Sequence, residues 1–422
     1  MRSWSGGSAV TRRKLDKYED RFASRTRVMR SSAMRDLMSL TARPEVISLA
    51  GGLPATDLFP PHLFEEINAH IAAANRALGL QYGPTEGFDI VKQDIAVVMA
   101  HEWTMVDPER IIVTTGGQQA IDLVTKSFVD PGDVVLAESP AYAGAITTFL
   151  SYQAQVVHTP MDGDGVIPEA LEELLDRLAA EGRRPKFLYV VPNFSNPSGV
   201  SLTLERRRRL VDVAAERELL IVEDNPYGLL RFEGQLPPTL LSLDRAENVI
   251  YLGSFSKIIS PGIRTGWVVS PTAVYQKLVL GKQATDLCSS PLNQLFVHGF
   301  VDSGAWREYV ATLCSVYASR RDILLATLAE EFPEGSEWTV PTGGFFVWAT
   351  LPEGLNTGDL LVKAIERNVA FVRGDAFFAD GQGETSMRLN FSYLPEDRIA
   401  EGIRRLGGVI REQLELQRAL GA

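Results

Sequence analysis

The chain has almost no cysteine. With two in 422 residues, Cys288 and Cys314, it has neither the number for a disulfide framework nor the spacing of a thiolate metal site, so a reducing, cytoplasmic setting is expected. It lacks an apolar run long enough to span a bilayer, and Arg12 and Arg13 are not followed by the apolar segment of a secretion signal. Positive charge is also short. Lys and Arg number 42 against 53 Asp and Glu, a net charge of -11, which disfavours nucleic acid as a partner. What is present is 45% hydrophobic content in a chain longer than one core supports, so two domains are expected.

Residues 1–20, rich in Gly, Ser, Arg and Lys, form a mobile N-terminal arm in this reading. Apolar residues from Val28 to Leu40, Met29 and Met34 among them, recur at near-helical intervals with Arg30 and Arg35 between them. VISLAGGLP is a β-type run that stops at Gly51 and Gly52, where glycine permits close approach to the backbone. A helical stretch from Phe64 to Leu78 precedes LQYGPTEGF, a restrained loop in which Tyr82 is either presented or packed in a core.

From there to about residue 270, apolar runs alternate with helical patterns: IIVTTGG, DVVLAES, KFLYVVPN, LLIVEDN, VIYLGSFS and GWVVS. Such runs predict an α/β fold with a mainly parallel, helix-covered sheet, whose ligands bind beyond the strands' carboxyl ends. The unusual residues stand there, at 116–118, 193–199, 224–227 and 254–257. Long helical patterns over 271–300 and 305–332 follow. Then come strands in WTVPTGGFFVWATL, NVAFVRG and SMRLNFSYL and a closing helix at 395–417, which together make a smaller α+β domain. The expected division is a segment at 21–60 that packs with the small domain and covers the active site, a large domain at 61–300 and a small domain at 301–422. DGDG at 162–165 lacks the ligand ladder of a calcium loop and predicts a turn, so no metal is expected. The run Arg206 to Arg209 predicts a solvated helix face.

Lys257 is the most informative residue. A strand delivers it into a loop with Ser254, Ser256 and, seven residues on, Arg264, a set that suits a phosphate ester beside a carbonyl-reactive amine, whereas a loop lysine taken alone reads as a solvated surface charge. In TTGGQQA, Gly117 and Gln118 open a helix whose N–H groups face an anion. Asp224 ends a buried strand and needs a cation or several donors there, or else caps a helix. Tyr227 reaches the same place from another side. Asn196, fixed by Pro197, offers its amide to a ring oxygen or serves a turn. Arg388, inside the apolar strand MRLNF, seeks a planar carboxylate, from substrate or from the protein.

In the order YGPTEG, TGGQQA, PAYAG, NPSG, EDNPY, SFSK with Arg264, and MRLNF, these motifs resemble the fold-type I pyridoxal-phosphate enzymes. Specifically, they resemble the class I/II aminotransferases, with the aspartate aminotransferase-like fold. AGGLP, YGPTEG and SFSKIISPGIR look most like the 2-aminoadipate and kynurenine aminotransferase branch. The resemblance implies pyridoxal 5'-phosphate as cofactor, with Lys257 forming the Schiff base and moving the α-proton. It implies Asp224 on the ring nitrogen, Asn196 and Tyr227 on the phenolic oxygen, and Tyr142 of PAYAG stacked on the ring. Gly117, Gln118, Ser254, Ser256 and Arg264 would hold the phosphate, which Tyr82 would also reach in the neighbouring subunit of a homodimer. Arg388 would clamp the substrate carboxylate, with Gly52 nearby.

The implied reaction is ping-pong exchange of an α-amino group between an L-amino acid and a 2-oxo acid. 2-Oxoglutarate and glutamate would form one pair, and 2-aminoadipate or an aromatic or branched-chain amino acid would belong to the other. Arg35 is a candidate for a distal carboxylate or a solvent-facing arginine. Met29, Met34, Leu53 and Leu58 suit an aromatic or branched side chain. The alternatives are an oxidase, lyase or cyclase on the same fold, or a transcription regulator. The last would need a DNA-binding domain that the roughly 45 residues before AGGLP do not provide.

Overall fold

The computed structural model describes residue 18, residues 21–29 and residues 43–420. Seven strands form one sheet: β1 (Ile111–Thr114), β2 (Val134–Glu138), β3 (Gln155–Thr159), β4 (Pro185–Val190), β5 (Ile221–Asp224), β6 (Val249–Ser254) and β7 (Gly266–Val269). Their spatial order is β1-β7-β6-β5-β4-β2-β3. β7 runs antiparallel to both neighbours, and the other pairings are parallel. Alternate residues feed two cores. Val135, Tyr189, Val222 and Ile250 pack with the helix Gly117–Phe128, whereas Val134, Leu188, Ile221 and Val249 pack with the helices Pro168–Ala180 and Leu204–Arg217. Burial on both faces is why these strands read as unbroken apolar runs.

A second, antiparallel sheet orders the strands Glu337–Trp338, Phe346–Thr350, Ser386–Asn390 and Val372–Arg373. The helices Trp306–Glu331 and Glu396–Leu420 pack against each other. Upstream, Ile47–Ser48 pairs in parallel with Val369–Ala370, and Asn390 N donates to Leu49 O at 2.8 Å. The segment before Pro54 is therefore bound to this second unit's strands.

Several expectations are corrected. The pattern over 271–300 is two helices, Thr272–Asp286 and Pro291–Asp302, because Leu287 takes a left-handed φ of 63° and Pro291 restarts the helix behind Ser290. WTVPTGGFFVWATL is interrupted at Pro341 and at Gly344, whose φ is 71°. β3 escapes the apolar-run pattern because it is an edge strand carrying Gln155 and His158. The arginine run is not a uniformly solvated face. Arg207 is 0% exposed and donates to Leu202 O, Pro192 O, Pro238 O and Asn193 Oδ1. DGDG makes the expected turn, between Met161–Asp162 and Gly165–Val166. Among the described residues no metal-ligating cluster exists and no helix is long and apolar enough to cross a membrane. Arg30, Met34, Arg35 and most of the helix expected over 28–40 lie outside the described residues.

Candidate active site

The carboxyl ends of β1, β4, β5 and β6 open onto one cavity of about 580 Å³. Its other wall is the segment from Ser48 to Leu53 together with Arg388 and Tyr393. Of the residues expected to hold cofactor or substrate carboxylate, all line it except Tyr82 and Arg35. Of those expected to meet the substrate side chain, Leu53 lines it, Met29 and Leu58 do not, and Met34 lies outside the described residues. Tyr82 is 76% exposed and outside this cavity, and Arg35 is outside the described residues.

One end is built for an anion. β1 turns through Gly116, at φ 80°, into the helix that starts at Gly117. A Cβ at Gly116 would stand 2.4 Å from Arg264 Nη2, so glycine is required for the guanidinium to lie against this turn. Arg264 donates to Thr115 O at 3.1 Å and to Pro261 O at 3.3 Å. Ser254 and Ser256 face the same end, their hydroxyls 2.8 Å apart. Gln118 is anchored on Thr148 Oγ1 at 2.7 Å and accepts from the Tyr142 hydroxyl at 3.4 Å.

The middle holds an acid and an amine. Burial pushes Asp224 up to about 6, against the hydrogen bond from the Tyr189 hydroxyl at 2.5 Å and the charge of Lys257, which both favour its anion. Burial and the cations Arg388 and Arg264 bring Lys257 down to about 8. Its Nζ donates to Gly52 O at 2.8 Å and lies 5.5 Å from the Phe345 ring.

At the far end Arg388 stacks on Phe346, 4.1 Å from the ring centroid, and donates to Asn196 Oδ1 at 2.7 Å and Ala50 O at 2.6 Å. Burial lowers its pKa to about 10, which still leaves the cation dominant. The Tyr227 hydroxyl stays protonated, because burial pushes it above its usual value; its ring meets Phe345 edge-on at 5.3 Å.

Three supporting groups escape the sequence reading. Glu138, at the end of β2, accepts from Val191 N and Ser195 Oγ and so holds the loop that carries Asn196. Its signal, a carboxylate closing the apolar run DVVLAE, is the one that marks Asp224. Tyr189 is a hydroxyl inside the run KFLYVV. Asn225 joins Asn193, Glu102 and Tyr251 beneath the site, contacts with no local signature.

A family model described as aminotransferase class I and II matches residues 44–406. An aromatic-amino-acid aminotransferase of Thermococcus litoralis is 40% identical over 94% of this chain and 96% of its own length. A 2-aminoadipate transaminase of Thermus thermophilus is 42% identical over 92% of this chain and 96% of its own. A crystal structure of Pyrococcus horikoshii kynurenine aminotransferase in complex with PMP superposes with a TM-score of 0.91 at 39% identity, covering 95% of this chain and 99% of that one. The matched residues 44–406 span every residue that lines the cavity. The chain belongs to the class I and II aminotransferases, pyridoxal-phosphate enzymes of the aspartate aminotransferase-like fold type I.

Proposed function

We propose that the cavity takes pyridoxal 5'-phosphate with its phosphate at the Gly117 helix end. The chain then moves the α-amino group between an L-amino acid and a 2-oxo acid in a ping-pong cycle. The observation that carries this reading is the meeting of Lys257, Asp224 and Arg388, distant in sequence, in one cavity.

The residues fit the cofactor. Helix N–H groups, two hydroxyls and the Arg264 guanidinium match a phosphate dianion. Asp224 is an anion above about 6 and pairs with a protonated ring nitrogen. Asn196 and Tyr227 supply donors for a phenolic oxygen, and Tyr142 covers a ring face. When bound, the cofactor supplies an electron-withdrawing ring that acidifies the amino acid's α-carbon. Lys257, with a pKa near 8, has a neutral fraction able to take the α-proton and return it. Arg388 receives the α-carboxylate in two parallel hydrogen bonds in place of its present acceptors, Asn196 Oδ1 and Ala50 O.

2-Oxoglutarate and glutamate form one substrate pair in this proposal, and an aromatic amino acid, 2-aminoadipate or a branched-chain amino acid belongs to the other. The relatives named for aromatic amino acids and 2-aminoadipate support that range. Leu53, Ile121 and Tyr393 in the wall suit an apolar or aromatic side chain, and Arg35 is the proposed partner of a distal carboxylate. A homodimer in the cytoplasm completes the proposal, with Tyr82 reaching the partner's phosphate. Exposed Leu78, Leu80, Tyr82, Leu287 and Leu292 support it as an apolar interface. The division into 21–60, 61–300 and 301–422 is part of the same proposal.

The test is a panel of L-amino acids offered with 2-oxoglutarate, with both products measured. Stoichiometric glutamate and parallel double-reciprocal lines are expected. Release of ammonia or peroxide without glutamate would refute amino transfer.

A further inference from the structure

Behind the anion end of the cavity, out of contact with it, lies a buried lysine that none of the site chemistry uses. Lys282, on the helix Thr272–Asp286, has a side chain that is 0% exposed. Its Nζ donates to Asp286 Oδ1 at 2.7 Å and Oδ2 at 3.0 Å, to Ser289 Oγ at 3.0 Å and to Gln119 Oε1 at 3.4 Å. Asp286 in turn accepts from Thr115 Oγ1 at 2.8 Å and Gln119 Nε2 at 2.7 Å. Gln119 Oε1 accepts from Thr115 N at 2.7 Å, and Thr115 O accepts from Arg264. Ser289 reaches Thr115 Oγ1 and Val113 O, both at 3.3 Å.

The whole turn from β1 into the Gly117 helix is thus fastened from the rear, and the fastening converges on one ammonium. We propose that Lys282 is a positioning residue for cofactor binding: it fixes Asp286 and Gln119, which set the Thr115–Gly117 turn so that its N–H groups and Arg264 meet the phosphate. This rests on the placement of the phosphate at that turn. Charge is not its means of action, because Asp286 neutralises it at contact distance. The pair is a firm one. Burial alone would raise Asp286, yet the hydrogen bonds from Lys282, Gln119 and Thr115 hold its carboxyl below the usual range. Loss of the ammonium leaves Asp286 without its cation and frees both side chains that grip Thr115.

The experiment compares binding of pyridoxal 5'-phosphate and of pyridoxal, which lacks the phosphate, to the full-length apoenzyme by absorbance titration. For Lys282→Met, a loss of about 10-fold in affinity for the phosphorylated form and less than about 2-fold for pyridoxal is expected. Equal losses for the two ligands, or none, would overturn the proposal. Should Lys282→Met not fold, Gln119→Leu cuts the link to Thr115 N while Lys282 keeps Asp286, and it is expected to show the same selective loss. Arg264→Met separates the two levels. If it too fails to discriminate the ligands, the phosphate placement is wrong; if it discriminates and the Lys282 and Gln119 variants do not, the placement stands and the inference fails.

Discussion

Glu138 offers a measurable link between the architecture and pH. Burial pushes its carboxyl up to about 8 from 4.5, against hydrogen bonds from Val191 N and Ser195 Oγ that favour the anion. The unfolded chain releases this proton near 4.5, whereas the native protein keeps it to about 8. Between those limits unfolding releases a proton, so native stability falls as pH rises, by about 1.4 kcal/mol per pH unit. Both donors meet the same oxygen, Oε2. Glu138→Gln therefore keeps an acceptor for both while removing the titration. Glu102 and Glu223, each raised to about 7 by burial, titrate in both proteins and cancel in the comparison. Relative to the variant, the native enzyme is expected to lose about 3 kcal/mol between about pH 5.5 and about pH 7.5. Urea unfolding at the two pH values, followed by tryptophan fluorescence, measures it. A wild-type-to-variant difference that is the same at both pH values would refute a protonated Glu138.

Lys257→Ala is expected to abolish transamination while some cofactor binding persists, since the proposed phosphate and ring contacts do not involve this amine; undiminished turnover would overturn the role proposed for it. Arg388→Lys keeps the charge but not the two parallel donors or the stack on Phe346, so kcat/KM is expected to fall about 100-fold for every amino donor, read from steady-state kinetics. Arg35→Ala is expected to weaken glutamate and 2-aminoadipate selectively. Equal losses for acidic and neutral donors would remove Arg35 from the specificity site.

The large sheet was legible because burial on both faces leaves apolar runs, and the site was legible where those runs end in residues that a core does not tolerate. Asp224, Asn196, Ser254 and Lys257 all stand at such ends. The sequence left Tyr82 open between a presented ring and a core residue, and its exposure decides for the first. Arg207 was not legible. Its helical spacing puts it on the face of the buried Leu210, Val211 and Ala214, but an arginine there reads as a solvated charge, because the acceptors Pro192 O, Asn193 Oδ1 and Pro238 O that permit its burial come from other segments. Glu138 carried a local signal in the run DVVLAE, but its donors Val191 N and Ser195 Oγ stand 53 and 57 residues away. Lys282 has Asp286 four residues on and Ser289 seven on, a spacing that an exposed helical pair shares, so what the sequence hid was the burial of the pair.

The charges of the cavity account for why the glycines of AGGLP belong with the lysine of SFSK. Among the described lining residues, Lys257, Arg264 and Arg388 stand around one carboxylate, Asp224. In a buried space such an excess of cations is costly unless strong acceptors are close. The backbone supplies them as carbonyls: Gly52 O for Lys257, Thr115 O and Pro261 O for Arg264, and Ala50 O for Arg388. Carbonyl acceptors hold the three side chains in place without cancelling their charge. A phosphate or a carboxylate that enters then gains charge-assisted bonds, and the carbonyls it displaces are neutral. Of the two glycines beside these carbonyls, Gly51 would bring an added Cβ only to ordinary contact with Leu53 at 3.6 Å, so the close approach is at Gly52. At Gly52 an added Cβ would already lie 3.1 Å from Phe346 Cζ.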